Sequence, residues 1–137
     1  MKCISIKEVV SQPMTRQKYN DYRGWELPSD ENGKDKGFLI IDESLKHESW
    51  VTAKVFKSSH LENTLEDFSI PETPHPDHQT RIINEFFELK GRSEKLETFN
   101  NGDFFLTLPL AEQKRMNQQL LIMKAYQLIL ADRIKNF

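Results

Sequence analysis

The stretch LLIMKAYQLILADRI, Leu120 to Ile134, carries more apolar surface than one side of a small domain can use. A helix lying on a core needs a single apolar stripe. Here Leu120, Met123, Gln127, Leu130 and Ile134 form one heptad-like row, and Leu121, Ala125 and Leu128 form a second beside it. Ile122 and Ile129 point elsewhere again. Whatever fold the chain adopts must cover several faces of this helix.

The preceding sequence supplies one cover. Ile82, Phe86, Leu89, Leu96 and Phe99 recur at intervals that keep one helix face apolar, with Ser93 breaking the series. Gly91 inside this arm costs about 1 kcal/mol relative to Ala and suggests either a close backbone crossing or a bend. NNGD provides a turn able to adopt a left-handed conformation, Pro109 suits the first position of a new helix, and Glu112 favours its positive end. Residues 78–137 therefore read as an antiparallel two-helix hairpin. One arm covers only one face of Leu120–Ile134. The rest is covered either by a second copy of the chain, joined through these helices, or by the N-terminal sheet of the same chain.

That sheet is expected in residues 1–56. KCISI alternates, FLIID is a short apolar strand, and SWVTAKVF is rich in β-branched and aromatic residues, with the turn-forming SDENGKDKG between. MTRQKYNDYRGW reads as a short helix, with Met14 as a hydrophobic staple, Thr15 as N-cap and Gly24 as the stop. Residues 57–77, with Pro71, Pro74 and Pro76 among acidic and hydroxyl residues, have the chemistry of an extended linker. The expected fold class is α+β: a small antiparallel sheet with a short helix, followed by the hairpin.

With 137 residues the chain has room for one domain or two very small ones, and its formal net charge of −2 gives no basic field for coating DNA or RNA. The lone cysteine, Cys3, allows no intrachain disulfide and fits a reducing cytoplasm. No apolar run reaches the roughly 18 residues of a membrane span, and the N-terminus has no leader-like apolar stretch. A cytoplasmic protein that engages neither membrane nor polymeric nucleic acid is expected.

Catalytic and metal signatures are sparse. His75, Asp77 and His78 in HPDH have a spacing a metal accepts, but they sit in Pro-rich sequence without a thiolate, where solvated linker is the plainer reading. No nucleophile elbow, phosphate-binding loop or zinc-protease motif is present, so no catalytic residue, metal or cofactor is assigned. Binding chemistry is better represented. Phe99, Phe104 and Phe105 lie near Arg115, Asn117, Gln118 and Gln119, with Lys124, Tyr126 and Arg133 further along. Such a set suits a nucleotide: rings stack on a base, amides pair with its edge, and arginine meets phosphate. The same phenylalanines also read as core, and the same polar residues as solvated surface. YNDYRGWEL is a second cluster, whose two tyrosines, Arg23 and Trp25 either stack on and clamp an anion or plug the sheet against the helices with Arg23 paired to Glu or Asp.

The C-terminal pattern HQTRI, then EL…K…KLE.F, then F..LP.AEQ..M..QL..M..Y..IL..RI closely resembles a helical hairpin of phage and prophage proteins. It is shared by the anti-CBASS cyclic-nucleotide sponge and the first Thoeris anti-defence sponge family. The N-terminal YN…RGW.LP and SWVTAKVF resemble a separate small phage domain, with Phe38 where Tyr is usual. A β-rich part before the hairpin favours the Thoeris type.

The resemblance implies a phage counter-defence protein, working in the cytosol of the infected host. It would bind cyclised ADP-ribose made by TIR-domain proteins, and cyclic di- and trinucleotides, without cleaving them. It also implies a dimer or hexamer assembled through the hairpin. The residues taken as ligand-binding under this reading are Phe99, Phe104, Phe105, Arg115, Asn117, Gln119, Tyr126 and Arg133, then His78 and Arg81 of HQTRI, and Arg23 and Trp25 of the N-terminal part.

Overall fold

The computed structural model describes residues 1–5 and 7–137. They form the elements β1 (Val10–Thr15), α1 (Arg16–Arg23), β2 (Lys36–Asp42), β3 (His47–Thr52), α2 (Ala53–Ser59), α3 (Asp77–Asn100), α4 (Asp103–Leu106) and α5 (Leu110–Lys135). The fold class is α+β, a three-stranded antiparallel sheet with a short helix followed by packed C-terminal helices. Two compact units are present, Lys7–Leu61 and a second containing Glu62–Phe137.

In the first unit the strand order is β1-β2-β3, with Leu39 opposite Gln12 on one side and Trp50 on the other. FLIID becomes the central strand because both its neighbours can pair with it, and Leu39 and Ile40 are buried there. Two strand expectations change. Lys2–Ser5 of KCISI lie outside any strand, and Ile6 lies outside the described residues. The first strand is instead VSQPMT, where Pro13 is tolerated because an edge strand has one unpaired side. SWVTAKVF divides: β3 ends at Thr52, whose Oγ1 accepts the Val55 N–H at 3.3 Å and caps α2.

The ends of α1 follow the expectation. Thr15 Oγ1 accepts the Lys18 N–H, and Gly24 takes a left-handed φ of 71° that a side chain would strain. Met14 belongs to β1, and its carbonyl accepts Trp50 Nε1–H at 2.8 Å. Gly37 is required at its position, because a Cβ there would run into the Trp50 indole and the Val51 carbonyl. The indole crosses the sheet and lies under the Arg16 guanidinium, which also pairs with Glu31 and Asp35.

Asp42 ends β2 as a buried carboxylate. Its Oδ1 accepts from Ser44 Oγ at 2.6 Å and Leu45 N–H at 3.2 Å, and its Oδ2 faces Lys7 Nζ at 3.2 Å. The Ser44 hydrogen bond, opposed by burial and helped by Lys7 and the Leu45 N–H, holds this carboxyl below its ordinary pKa of 3.8. A depressed folded-state pKa stabilises the fold above the ordinary value, and that contribution is lost as pH falls through the folded pKa. Acid melts followed by Trp fluorescence should therefore show a steeper loss in the wild type than in Asp42→Asn below pH 3.8. Identical acid limbs in the two proteins would refute this role.

In the second unit α3 and α5, of 24 and 26 residues, lie antiparallel. Cross-helix partners descend along α5 as α3 advances, from Gln127 with Ser93 through Lys124 with Glu97 to Asn117 with Asn100, and Tyr126 reaches back to Glu85. Phe86, Leu89, Leu130, Ala131 and Ile134 make the core, with Ile82, Ile83 and Met123 against it. Leu65 and Phe68 of the Pro-rich segment also pack on this core, Phe68 at 4.8 Å from the Phe86 ring. Ser93, which breaks the apolar series, is buried and accepts Gln127 Nε2–H at 2.6 Å while donating to the Lys90 carbonyl. The polar residue of one row thus meets the polar residue of the other, so neither amide nor hydroxyl is left unpaired.

Three local expectations for the hairpin are revised. A Cβ at Gly91 would meet nothing within 4 Å, so no close backbone crossing explains that glycine. Asn101 and Gly102 keep negative φ of −88° and −90°, because the short helix α4, not a left-handed turn, reverses the chain. Pro109 is the N-cap of α5, one position earlier than expected, and its carbonyl accepts from the N–H groups of Glu112 and Gln113. Glu112 sits in the first turn as expected. Ile122, Tyr126 and Ile129 remain exposed along α5 of the single chain.

Candidate functional site

The hairpin presents its chemistry at its two ends. At the closed end, Phe99, Phe104 and Phe105 meet edge to face, with ring centroids 5.9 Å apart for Phe99–Phe104 and 6.5 Å for Phe99–Phe105. Their exposures separate them: Phe105 is 6% exposed and Phe104 65%. Phe105 holds the tip together, while Phe104 offers an open ring face. Phe99 is partly open as well.

Beside the rings, Asn100 Nδ2–H donates to Asn117 Oδ1 at 3.0 Å, and the buried Asn100 Oδ1 has no donor among the described residues. A buried acceptor without a donor is costly, and a bound group or water carrying an N–H or O–H would relieve it. Asn100 was absent from the expected set because nothing in NNGD distinguishes its first residue from its second. Asn117 also lines an open depression of about 420 Å³ on α5, with Leu110, Gln113, Lys114, Gln118 and Leu121. These positions share one helix face by their spacing of three and four. Gln113 and Lys114, absent from the expected set, follow from extending that spacing from Asn117, and Gln118, one of the amides named from the sequence, joins them. Gln119 is exposed outside this depression.

Arg115 is exposed and bonded to Glu112, with Nη2 at 2.6 Å and Nε at 2.8 Å from Oε2. Lys124 is engaged with Glu97 at 2.6 Å. An exposed pair of this kind is worth little, so a phosphate can compete for either cation.

At the open end, Tyr126 O–H donates to Glu85. That hydrogen bond, with burial and the Glu85 charge, raises the phenol pKa, and Arg133 opposes the shift. Arg133 is exposed near the end of α5, and His78 and Arg81 are exposed at the start of α3, the end that lies alongside in an antiparallel pair. His75 of HPDH is occupied: its ring nitrogens contact the Pro71 carbonyl at 2.9 Å and Gln79 Oε1 at 3.2 Å. From Asn117 to Arg133 is sixteen residues of helix, roughly 24 Å. One chain therefore brings Phe99, Phe104 and Phe105 together, with Asn117 joined to the adjacent Asn100, while Arg115, paired with Glu112, lies on a different face of α5 from Asn117; Tyr126 and Arg133 lie separately with the start of α3.

Arg23 and Trp25 belong to the other unit. The Arg23 guanidinium lies 4.7 Å from the Trp25 ring centroid and 3.7 Å from Glu48, which also accepts the Tyr22 hydroxyl. Tyr19 packs edge-on to Trp25 and stacks with Trp50. Tyr19 and Trp50 act as the plug, whereas Tyr22 and Trp25 stay about half exposed.

Among the described residues no helix is long and apolar enough to cross a membrane. Comparison with curated proteins and with solved structures gives no match. Residues 76–136 match the family model described as Sequestin. These residues run from the N-cap of α3 to the C-cap of α5 and so take in both ends of the site just described. The helical hairpin of this chain, residues 76–136, is similar to the Sequestin family.

Proposed function

We propose that the protein is a phage counter-defence sponge that binds a cyclic nucleotide immune signal in the host cytosol and holds it uncleaved. The signal is cyclised ADP-ribose from TIR proteins, with cyclic di- and trinucleotides as further ligands. The Sequestin match over the whole hairpin carries this reading. The hairpin tip supports it with an open ring at Phe104, an amide pair at Asn100 and Asn117, and the exposed Arg115, a set suited to base and phosphate.

The exposed row Ile122, Tyr126 and Ile129 supports association of hairpins into a dimer or hexamer. An antiparallel pairing of two copies would set the tip of one beside the Arg133, His78 and Arg81 end of the other. It would thereby reunite the two groups that one chain keeps roughly 24 Å apart.

The test is incubation of purified protein with cyclic ADP-ribose isomers, cyclic dinucleotides and cyclic trinucleotides, removal of free ligand, heat denaturation and mass spectrometry. Release of an unchanged signal is expected. Release of a hydrolysed product would make the protein an enzyme. No retained ligand, with an intact oligomer by light scattering, would leave a structural interaction protein, the reading that the apolar row alone would favour.

A further inference from the structure

The β2–β3 turn contains an energetic oddity. Lys46 has φ 51°, the one non-glycine residue with positive φ among the described residues. Glycine adopts this conformation freely, and a side chain pays for it through crowding of Cβ. Strain retained at one position invites the question of what the side chain does there.

Lys46 lines a groove of about 550 Å³ with Arg23, Asp42, Glu43, His47 and Glu48, a volume in the range of small-molecule sites. Two of the three carboxylates are already engaged. Asp42 is bonded to Ser44, Leu45 N–H and Lys7, and Glu48 to Tyr22 and Arg23. The Lys46 ammonium has no ion-pair partner among the described residues. Arg23, which lines the groove, holds its guanidinium 4.7 Å from the Trp25 ring centroid, and Trp25 is 52% exposed. An uncommitted cation lining the same groove as an arginine held against an open indole suits a ring carrying a phosphate.

We propose that this groove of the N-terminal unit is a second ligand site, which takes a small phosphate-bearing nucleotide with its base on the Arg23–Trp25 platform and its phosphate on Lys46. It lies wholly within Lys7–Leu61 and does not depend on the function assigned to the hairpin.

The full-length protein would be titrated by calorimetry with ADP, with adenosine as a ring without phosphate and with pyrophosphate as phosphate without a ring. Lys46→Gly and Lys46→Asn would be compared with the wild type. ADP should bind the wild type at least tenfold more tightly than either fragment. Both variants should weaken ADP at least tenfold while melting, ligand-free, no lower than the wild type, because each residue accepts the left-handed conformation. Trp25→Phe should abolish the quenching of Trp emission by ADP. Unchanged ADP affinity in both Lys46 variants would overturn the proposal, as would pyrophosphate binding as tightly as ADP or no ADP binding at all. Because the readout is the difference made by Lys46, loss of cyclic-signal binding by the hairpin leaves the result intact.

Discussion

Leu130→Ala is expected to destabilise the hairpin unit by about 2–5 kcal/mol. Leu130 is fully buried among Phe86, Leu89, Ala131 and Ile134, and it lies on the row of α5 that faces α3. Truncation removes the transfer free energy of the lost methyl groups and leaves a cavity between two long helices that can collapse only partly. Urea unfolding followed by the helical circular dichroism signal measures it. A shift equivalent to under about 0.5 kcal/mol, the range of ordinary surface changes, would mean that the two helices do not close on this residue.

The neighbouring Ile129→Ala is an informative control. Ile129 is exposed in the single chain, so its truncation should be nearly silent in a monomer. In an oligomer sealed through α5, the cost should grow and depend on protein concentration.

Much of this architecture could be read from particular residues. Thr15 and Gly24 bracket α1 because an N-cap acceptor and a left-handed glycine are local devices that need no tertiary partner. The apolar rows of α3 and α5 were legible for the same reason that Ser93 and Gln127 face each other: a helix repeats its face every three or four residues. KCISI shows where alternation fails. Lys2–Ser5 pair with no strand although the outer edge of β1 stays open, because alternation marks a segment that could be a strand without supplying its partner. SWVTAKVF fails differently, because Thr52 serves equally as a β-branched strand residue and as a helix cap.

The candidate site was legible as composition, less so as geometry. Arg115 and Asn117 were named from composition, yet nothing in the sequence says that Asn117 is linked to Asn100 or that Arg115 is held by Glu112. Nor could it rank the two adjacent phenylalanines at the tip. Consecutive residues on a helix point about 100° apart, so one of an adjacent pair enters the core while the other faces water. Both rings meet Phe99, yet only Phe105 is buried, so the outcome is set by the three-dimensional packing of the tip and not by the local sequence.

That division gives the last expected result. Phe105→Ala should cost about 3–5 kcal/mol of stability, since its ring is buried at the tip. Phe104→Ala should leave the melting temperature close to that of the wild type, because its ring is largely exposed. If the tip stacks on a base of the cyclic signal, the same Phe104→Ala should weaken binding by about 1–3 kcal/mol. That is roughly five- to 150-fold in affinity. Calorimetry with cyclic ADP-ribose isomers and cyclic trinucleotides, paired with thermal melts, reads both quantities on the same preparations. Should Phe104→Ala instead bind normally while its melting temperature falls with dilution, its ring would be a contact between copies of the chain. The base would then have to be held elsewhere on the hairpin, with Tyr126 beside Glu85 and Arg133 as the next aromatic to test.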